Sequence, residues 1–151
     1  MPSNNFKDKV TVITGGGSGI GEALSKHFSG EGAKIIILDS NQSEGQRVAQ
    51  QTNADFIHCD ISETKSVDSA FTSIKSTHGS INILINNAGI AHIGKITETD
   101  TEDFDRIMKV NVRGAFLCIK ASINSMIKNQ NGCILNMASV ASNLGIPDRF
   151  A

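Results

Sequence analysis

Apolar residues along this chain gather in five short runs rich in β-branched side chains: KVTVIT (9–14), KIIIL (34–38), DFIHC (55–59), INILIN (81–86) and GCILNM (132–137). Runs of this length predict strands. Continuous rather than alternating apolar character predicts strands buried on both faces of a sheet. Between the runs the spacing changes. Ile20, Ala23, Leu24 and Phe28 recur at helical intervals, as do Val67, Ala70, Phe71 and Ile74. So do Phe104, Ile107, Met108, Ala115, Cys118, Ile119 and Ser122. Alternating strand and helix predicts an α/β fold: a doubly wound parallel sheet with crossover helices on both faces. There is no solenoid repeat, low-complexity segment or internal linker, so residues 1–151 read as one domain.

The fifth run ends near Met137, and the chain ends 14 residues later. A further helix and strand would normally cover that side, because an uncovered apolar edge is an aggregation liability. The expectation is an incomplete domain.

Composition narrows the function classes. The net charge is −1 with no basic block, which argues against phosphate-driven nucleic-acid binding. No apolar run approaches the ~18 residues of a membrane span. The start, MPSNNFKDK, lacks the apolar stretch of a signal peptide, so a cytoplasmic location is expected. Cys59, Cys118 and Cys133 are far apart and odd in number, and read as reduced core or near-core thiols. The histidines at 27, 58, 78 and 92 have neither metal nor triad spacing, and no metal site is expected.

Candidate chemistry begins at VTVITGGGSGIGEAL, a strand, a glycine-rich turn and a helix start. Glycine lets the backbone approach a ligand, and unpaired N–H groups at a helix start suit phosphate. The register of Gly15, Gly19 and Gly21 is G-x-x-x-G-x-G, and a merely tight strand-to-helix turn is the plainer alternative. Asp39 ends the second run 18 residues past Gly21. An acid there suits two ribose hydroxyls and repels a 2′-phosphate. No Lys or Arg follows it directly and Ser18 and Ser40 are neutral, so NAD is expected over NADP. A solvated loop acid is the alternative.

Open parallel sheets bind ligands beyond the carboxyl ends of their strands. Asp60, after the third run, suits an adenine amino group. It is equally an N-cap for a helix from Glu63, a role Ser62 fits better. Asn87 to Gly89, in NNAG, offer backbone groups or form a plain turn. Asn111 falls in the apolar stripe of the third helical region, so a buried amide is expected, holding a water, a catalytic side chain or only the core. Ser139 follows the fifth run. Its hydroxyl can both donate to and accept from a substrate carbonyl or alcohol, but no G-x-S-x-G elbow surrounds it.

Taken in order, TGGGSGIG (14–21), Asp39, Asp60, NNAG (86–89), Asn111 in MKVNVRGAF and Ser139 in NMASV resemble the short-chain dehydrogenase/reductases over the whole chain. The resemblance implies a Rossmann-type sheet with five of the family's seven strands, in order 3-2-1-4-5. It implies NAD, with NADP less favoured, bound by Gly15, Gly17, Ser18, Gly19, Ile20, Gly21, Asp39, Asp60, Ile61, Asn87, Ala88 and Gly89. It implies hydride transfer between nicotinamide and a small-molecule alcohol or ketone, and a dimer or tetramer of full-length chains. Ser139 would polarise the substrate oxygen and Asn111 would hold a proton-relay water. The family's acid/base is a tyrosine in Y-x-x-x-K, and this sequence contains no tyrosine. By family spacing it would stand at position 152, one past Ala151. The expectation is therefore an NAD-dependent oxidoreductase whose chain of 151 residues is its N-terminal part and is inactive alone. The alternatives are a non-catalytic dinucleotide-binding fragment and a partner-binding relic, the latter opposed by the intact glycine loop and Asp39.

Overall fold

The five apolar runs form five parallel strands: β1 (Val10–Thr14), β2 (Lys34–Asp39), β3 (Asp55–His58), β4 (Ile83–Asn86) and β5 (Cys133–Asn136). These lie in a computed structural model, which describes residues 6–148. The strand order is β3-β2-β1-β4-β5, as the resemblance implies. Each strand stays within two residues of its run. Just before β4 the side chain of Asn82 accepts the Val10 amide at 2.9 Å, while its own amide donates to the Val10 carbonyl at 2.9 Å.

Five helices cross between the strands: α1 (Gly19–Gly30), α2 (Gln42–Thr52), α3 (Thr64–His78), α4 (Thr101–Met108) and α5 (Ala115–Lys128). α1 and α2 cover one face, where Val48, Ala49, Leu24 and Phe28 pack on Ile13, Ile35, Ile37 and Ile85. On the other face Val67, Phe71, Ile74, Cys118 and Met126 pack on Val12, Ile36, Leu38 and Leu84. Phe71 is fully buried. Burial of such a side chain contributes about 2–3 kcal/mol.

Two of the three predicted helical stripes sit differently from expectation. In α1 it is Gly21 and Ser25 that are buried, while Ile20 is 61% exposed. The helix starts so close to the strand ends that only small residues fit beneath it. Ser25 donates to the carbonyl of Gly21 at 2.9 Å. The third stripe is broken by a π-helical segment, Lys109–Gly114, which joins α4 to α5. The wider turn shifts the helical phase. Ile107, Cys118 and Ser122 are buried, but Phe104 and Met108 are about two-fifths exposed, and Asn111 is exposed rather than buried.

β5 is the exposed edge that the pattern led us to expect. Leu135 is 44% and Met137 40% exposed. Cys59 and Cys118 are buried thiols, but Cys133, on β5, is exposed rather than near-core. Among the described residues no helix is long and apolar enough to cross a membrane.

Candidate functional site

Parallel pairing sets the carboxyl ends of all five strands along one edge, and the candidate residues follow those ends in turn. Thr14 ends β1 beside Leu38 of β2, and Asn86 ends β4 beside Asn136 of β5. A cleft of about 620 Å³ opens there. Ten of the predicted residues line it: Gly15, Ser18, Gly19, Ile20, Asp39, Asp60, Ile61, Asn87, Ala88 and Gly89. Gly17 and Gly21 are buried just behind this wall.

The glycine loop is built for close approach. Gly15 has φ +64°, and a Cβ there would stand 2.9 Å from the Ala88 Cα. At Gly21 a Cβ would collide with the Gly15 carbonyl oxygen and lie 2.6 Å from Asn87 Nδ2. These two glycines bring the start of α1 against the β4 loop. Asn87 locks the junction: its Nδ2 donates to the carbonyls of Thr14 at 3.0 Å and Gly15 at 3.1 Å. Thr14 completes the lock. Its buried hydroxyl oxygen accepts the amides of Asn87 at 3.1 Å and Ala88 at 3.0 Å. The pattern placed Thr14 at the end of a strand and the resemblance within TGGGSGIG; neither marks this role, because the amides it accepts lie 73 and 74 residues on.

The start of α1 differs from two of its neighbours. Asn41 accepts the Glu44 amide at the start of α2, and Asp100 accepts the Asp103 amide at the start of α4. Ser18, the residue before α1, caps no amide with its side chain. The first N–H groups of α1 and the positive end of its dipole therefore stand at the cleft.

Asp39 spans two turns. Its Oδ2 accepts the Gly17 amide and its Oδ1 the Asn41 amide, both at 2.9 Å. A carboxylate oxygen accepts two hydrogen bonds, so each retains one acceptor direction. Asp60 turns the chain by accepting the Ser62 amide at 2.9 Å. It does not cap α3, and neither does Ser62; α3 starts at Thr64 with Glu63 before it. Asp60 is therefore not the cap, because three residues, Ile61 to Glu63, intervene before the helix.

Asn111 stands on the π-helical segment and clamps one residue of the cleft wall. Its Oδ1 accepts the Ile90 amide and its Nδ2 donates to the Ile90 carbonyl, both at 2.8 Å. Ser139 lies apart from the cleft wall, exposed past β5, and its Oγ accepts the Ala141 amide at 3.2 Å. Ile90, Arg106 and Val110 also line the cleft and were not anticipated. Arg106 and Val110 arrive from a distant helix, so no local spacing marks them.

Outside the wall, Glu22 of α1 meets Arg47 of α2 at 2.7 Å and Lys26 at 2.6 Å. Hydrogen bonds from Arg47 first, then Lys26, hold the Glu22 carboxyl down at about 2. Burial pushes the Cys118 thiol up to about 12. No group of His, Cys, Asp and Glu among the described residues could hold a metal ion.

A family model described as short chain dehydrogenase matches residues 9–151. The chain is 40% identical to 2-(S)-hydroxypropyl-CoM dehydrogenase 3 of Xanthobacter autotrophicus, over 99% of this chain and 60% of that protein. It is 38% identical to secoisolariciresinol dehydrogenase of Forsythia intermedia, over 95% of this chain and 53% of that protein. Its fold matches 3-ketoacyl-(acyl-carrier-protein) reductase of Brucella melitensis, crystallised in complex with NADH. That match has a TM-score of 0.92 at 38% identity, and covers 96% of this chain and 63% of the other. The chain thus spans roughly 53–63% of the length of these relatives.

Proposed function

Since the chain belongs to the short-chain dehydrogenase family, we propose that residues 1–151 form the nucleotide half of an NAD-dependent oxidoreductase acting on a small alcohol or ketone. The observation that carries this reading is the cleft, with the uncapped start of α1 on its wall and Asp39 at the end of β2. Its residues fit a dinucleotide: backbone held too close for a Cβ at Gly15 and Gly21, and a carboxylate with acceptor capacity to spare.

In this assignment the amides from Ser18 to Gly21 hold the pyrophosphate, with the dipole of α1 favouring its charge. Asp39 accepts from the adenosine ribose hydroxyls, and Asp60 accepts from the adenine amino group. Ile20 and Ile61 supply apolar wall; an exposed isoleucine on a cleft is explained by a ligand that covers it. Asn87 to Gly89 set the floor toward the nicotinamide. When bound, that group supplies the carbon that takes or gives hydride. Ser139 donates to the substrate oxygen, and Asn111, by fixing Ile90, sets the wall next to Gly89 and orients a proton-relay water.

The sequence holds no tyrosine, so the family's acid/base is not among these residues. The chain of 151 residues alone accordingly binds NAD weakly and turns over nothing. The location we assign is cytoplasmic, with a dimer or tetramer in the full-length protein.

Calorimetric titration with NAD tests the reading. Wild type should bind saturably. Asp39→Ala should weaken NAD by roughly tenfold, about the cost of one charge-assisted hydrogen bond. Unchanged affinity for NAD in that variant would remove Asp39 from the ribose.

A further inference from the structure

Arg47 lies outside the cleft wall, and nothing in the nucleotide reading uses it. Yet its guanidinium is held from several directions. Nη2 donates to Glu22 Oε2 at 2.7 Å and Nη1 to Glu22 Oε1 at 3.2 Å. Nε donates to Glu44 Oε2 at 2.9 Å. Nη2 also reaches the Gly17 carbonyl at 3.4 Å. Gly17 is the same residue whose amide donates to Asp39 Oδ2. A Cβ on Gly17 would stand 2.9 Å from that carboxylate oxygen. An arginine and the ribose-reading acid therefore meet on one glycine.

The charges close locally. Arg47 and Lys26 are matched by Glu22 and Glu44, so the cluster is neutral and Asp39 stands uncompensated beside it. Guanidinium is the side-chain group best suited to a phosphate, through its planar donor fork. Here that fork is already occupied by carboxylates.

We propose that Arg47 is a specificity-determining residue of the nucleotide site. Glu22 and Glu44 hold its charge on the outer side of the glycine loop, where it braces Gly17 and leaves Asp39 unopposed against a ribose 2′-phosphate. The inference rests on the nucleotide reading above. Discrimination against a 2′-phosphate then has two parts: the acid that repels it, and the two acids that withhold the cation which would receive it. Arg47 acts in the present state as a positioning residue for the Gly17–Asp39 contact. It becomes a phosphate donor once its partners lose their charge.

The test is fluorescence titration of the 151-residue chain with NADH and with NADPH, in wild type and in Glu22→Gln/Glu44→Gln. Glutamine keeps an acceptor for the guanidinium and removes the charge. The expected result is a fall of roughly tenfold or more in the NADPH dissociation constant relative to that of NADH, the size of one charge-assisted contact to phosphate. NADH affinity should stay in place. Adding Arg47→Gln should return the ratio to the wild-type value. A ratio that does not move overturns the proposal. So does equal weakening of both nucleotides, which is what a purely structural brace gives, and so does a gain that persists without Arg47. Should the double variant not fold, Glu44→Gln alone keeps the α1–α2 pair and repeats the test at smaller amplitude. If wild type binds neither nucleotide, the nucleotide reading itself falls and takes this inference with it.

Discussion

One edge of a single sheet carries two differently made regions. At the ends of β1 and β4 the strands are buried and side chains lock neighbouring loops together across 72 to 74 residues of sequence, while Asp39 at the end of β2 ties to Gly17, 22 residues away. At the end of β5 the strand is exposed, and among the described residues Ser139 hydrogen-bonds within its own turn, to residues 141 and 142. The first region is cross-braced by side chains, the kind of pre-organisation that lowers the cost of binding a ligand. The second presents the exposed hydroxyl of Ser139. In the proposed reading, the residues assigned to the nucleotide and the serine assigned to the substrate thus stand on differently built parts of the edge.

The largest expected effect sets the two regions directly against each other. Leu84 of β4 is fully buried and Leu135 of β5 is 44% exposed. Leu84→Ala should cost about 2–5 kcal/mol, and Leu135→Ala well under about 1 kcal/mol. Chemical denaturation of both variants checks this, and equal costs would show that β5 is as well packed as β4. Next is Gly21→Ala, where the new methyl meets backbone that cannot withdraw. We expect a loss of about 1–3 kcal/mol, together with loss of nucleotide binding. Gly30, at the far end of α1, has nothing within 4 Å of a new Cβ, and Gly30→Ala should leave both properties intact.

Thr14→Val removes the acceptor for two amides while keeping the volume. A loss of about 1–3 kcal/mol is expected, with weaker NAD binding because the floor of the cleft is no longer pinned. Retained stability and affinity would mean that the β1–β4 lock is ornamental. The smallest effect is electrostatic. Glu22 titrates near 2 in the folded chain against an ordinary 4.5, so its pairing stabilises the fold above pH 4.5. That contribution is lost as pH falls from 4.5 through about 2. Acid-unfolding curves of wild type and Glu22→Gln should differ at neutral pH and converge near pH 2; curves parallel throughout would dissociate the pair from stability.

The same division governs what could be read from the sequence. The strands were legible because each is a short, continuous apolar run, and their order followed from the family motifs. The glycine loop, Asp39 and NNAG could be picked out as candidates because each stands at the end of a strand run, and the structure brings them to one cleft. Ile20 belongs to the apolar stripe of α1 by spacing and to the nucleotide residues by resemblance; it is 61% exposed, because periodicity finds apolar residues but not whether their face meets the core. The exposure of Asn111 was missed because a π-helical turn leaves no trace in 3.6-residue spacing. The Thr14 lock and the Arg47 brace join residues 25 or more apart, and nothing local announces such pairs.

The central claim is that nucleotide recognition resides in the β1–β2–β4 region of this chain and not at β5. Amide-resolved NMR titration of the 151-residue chain with NAD tests it most directly. Saturable shifts are expected at Gly15 to Gly21, Asp39 and Asn87 to Gly89, with Cys133 to Asn136 unmoved. Saturable shifts centred on β5, or none anywhere at millimolar NAD, would contradict it.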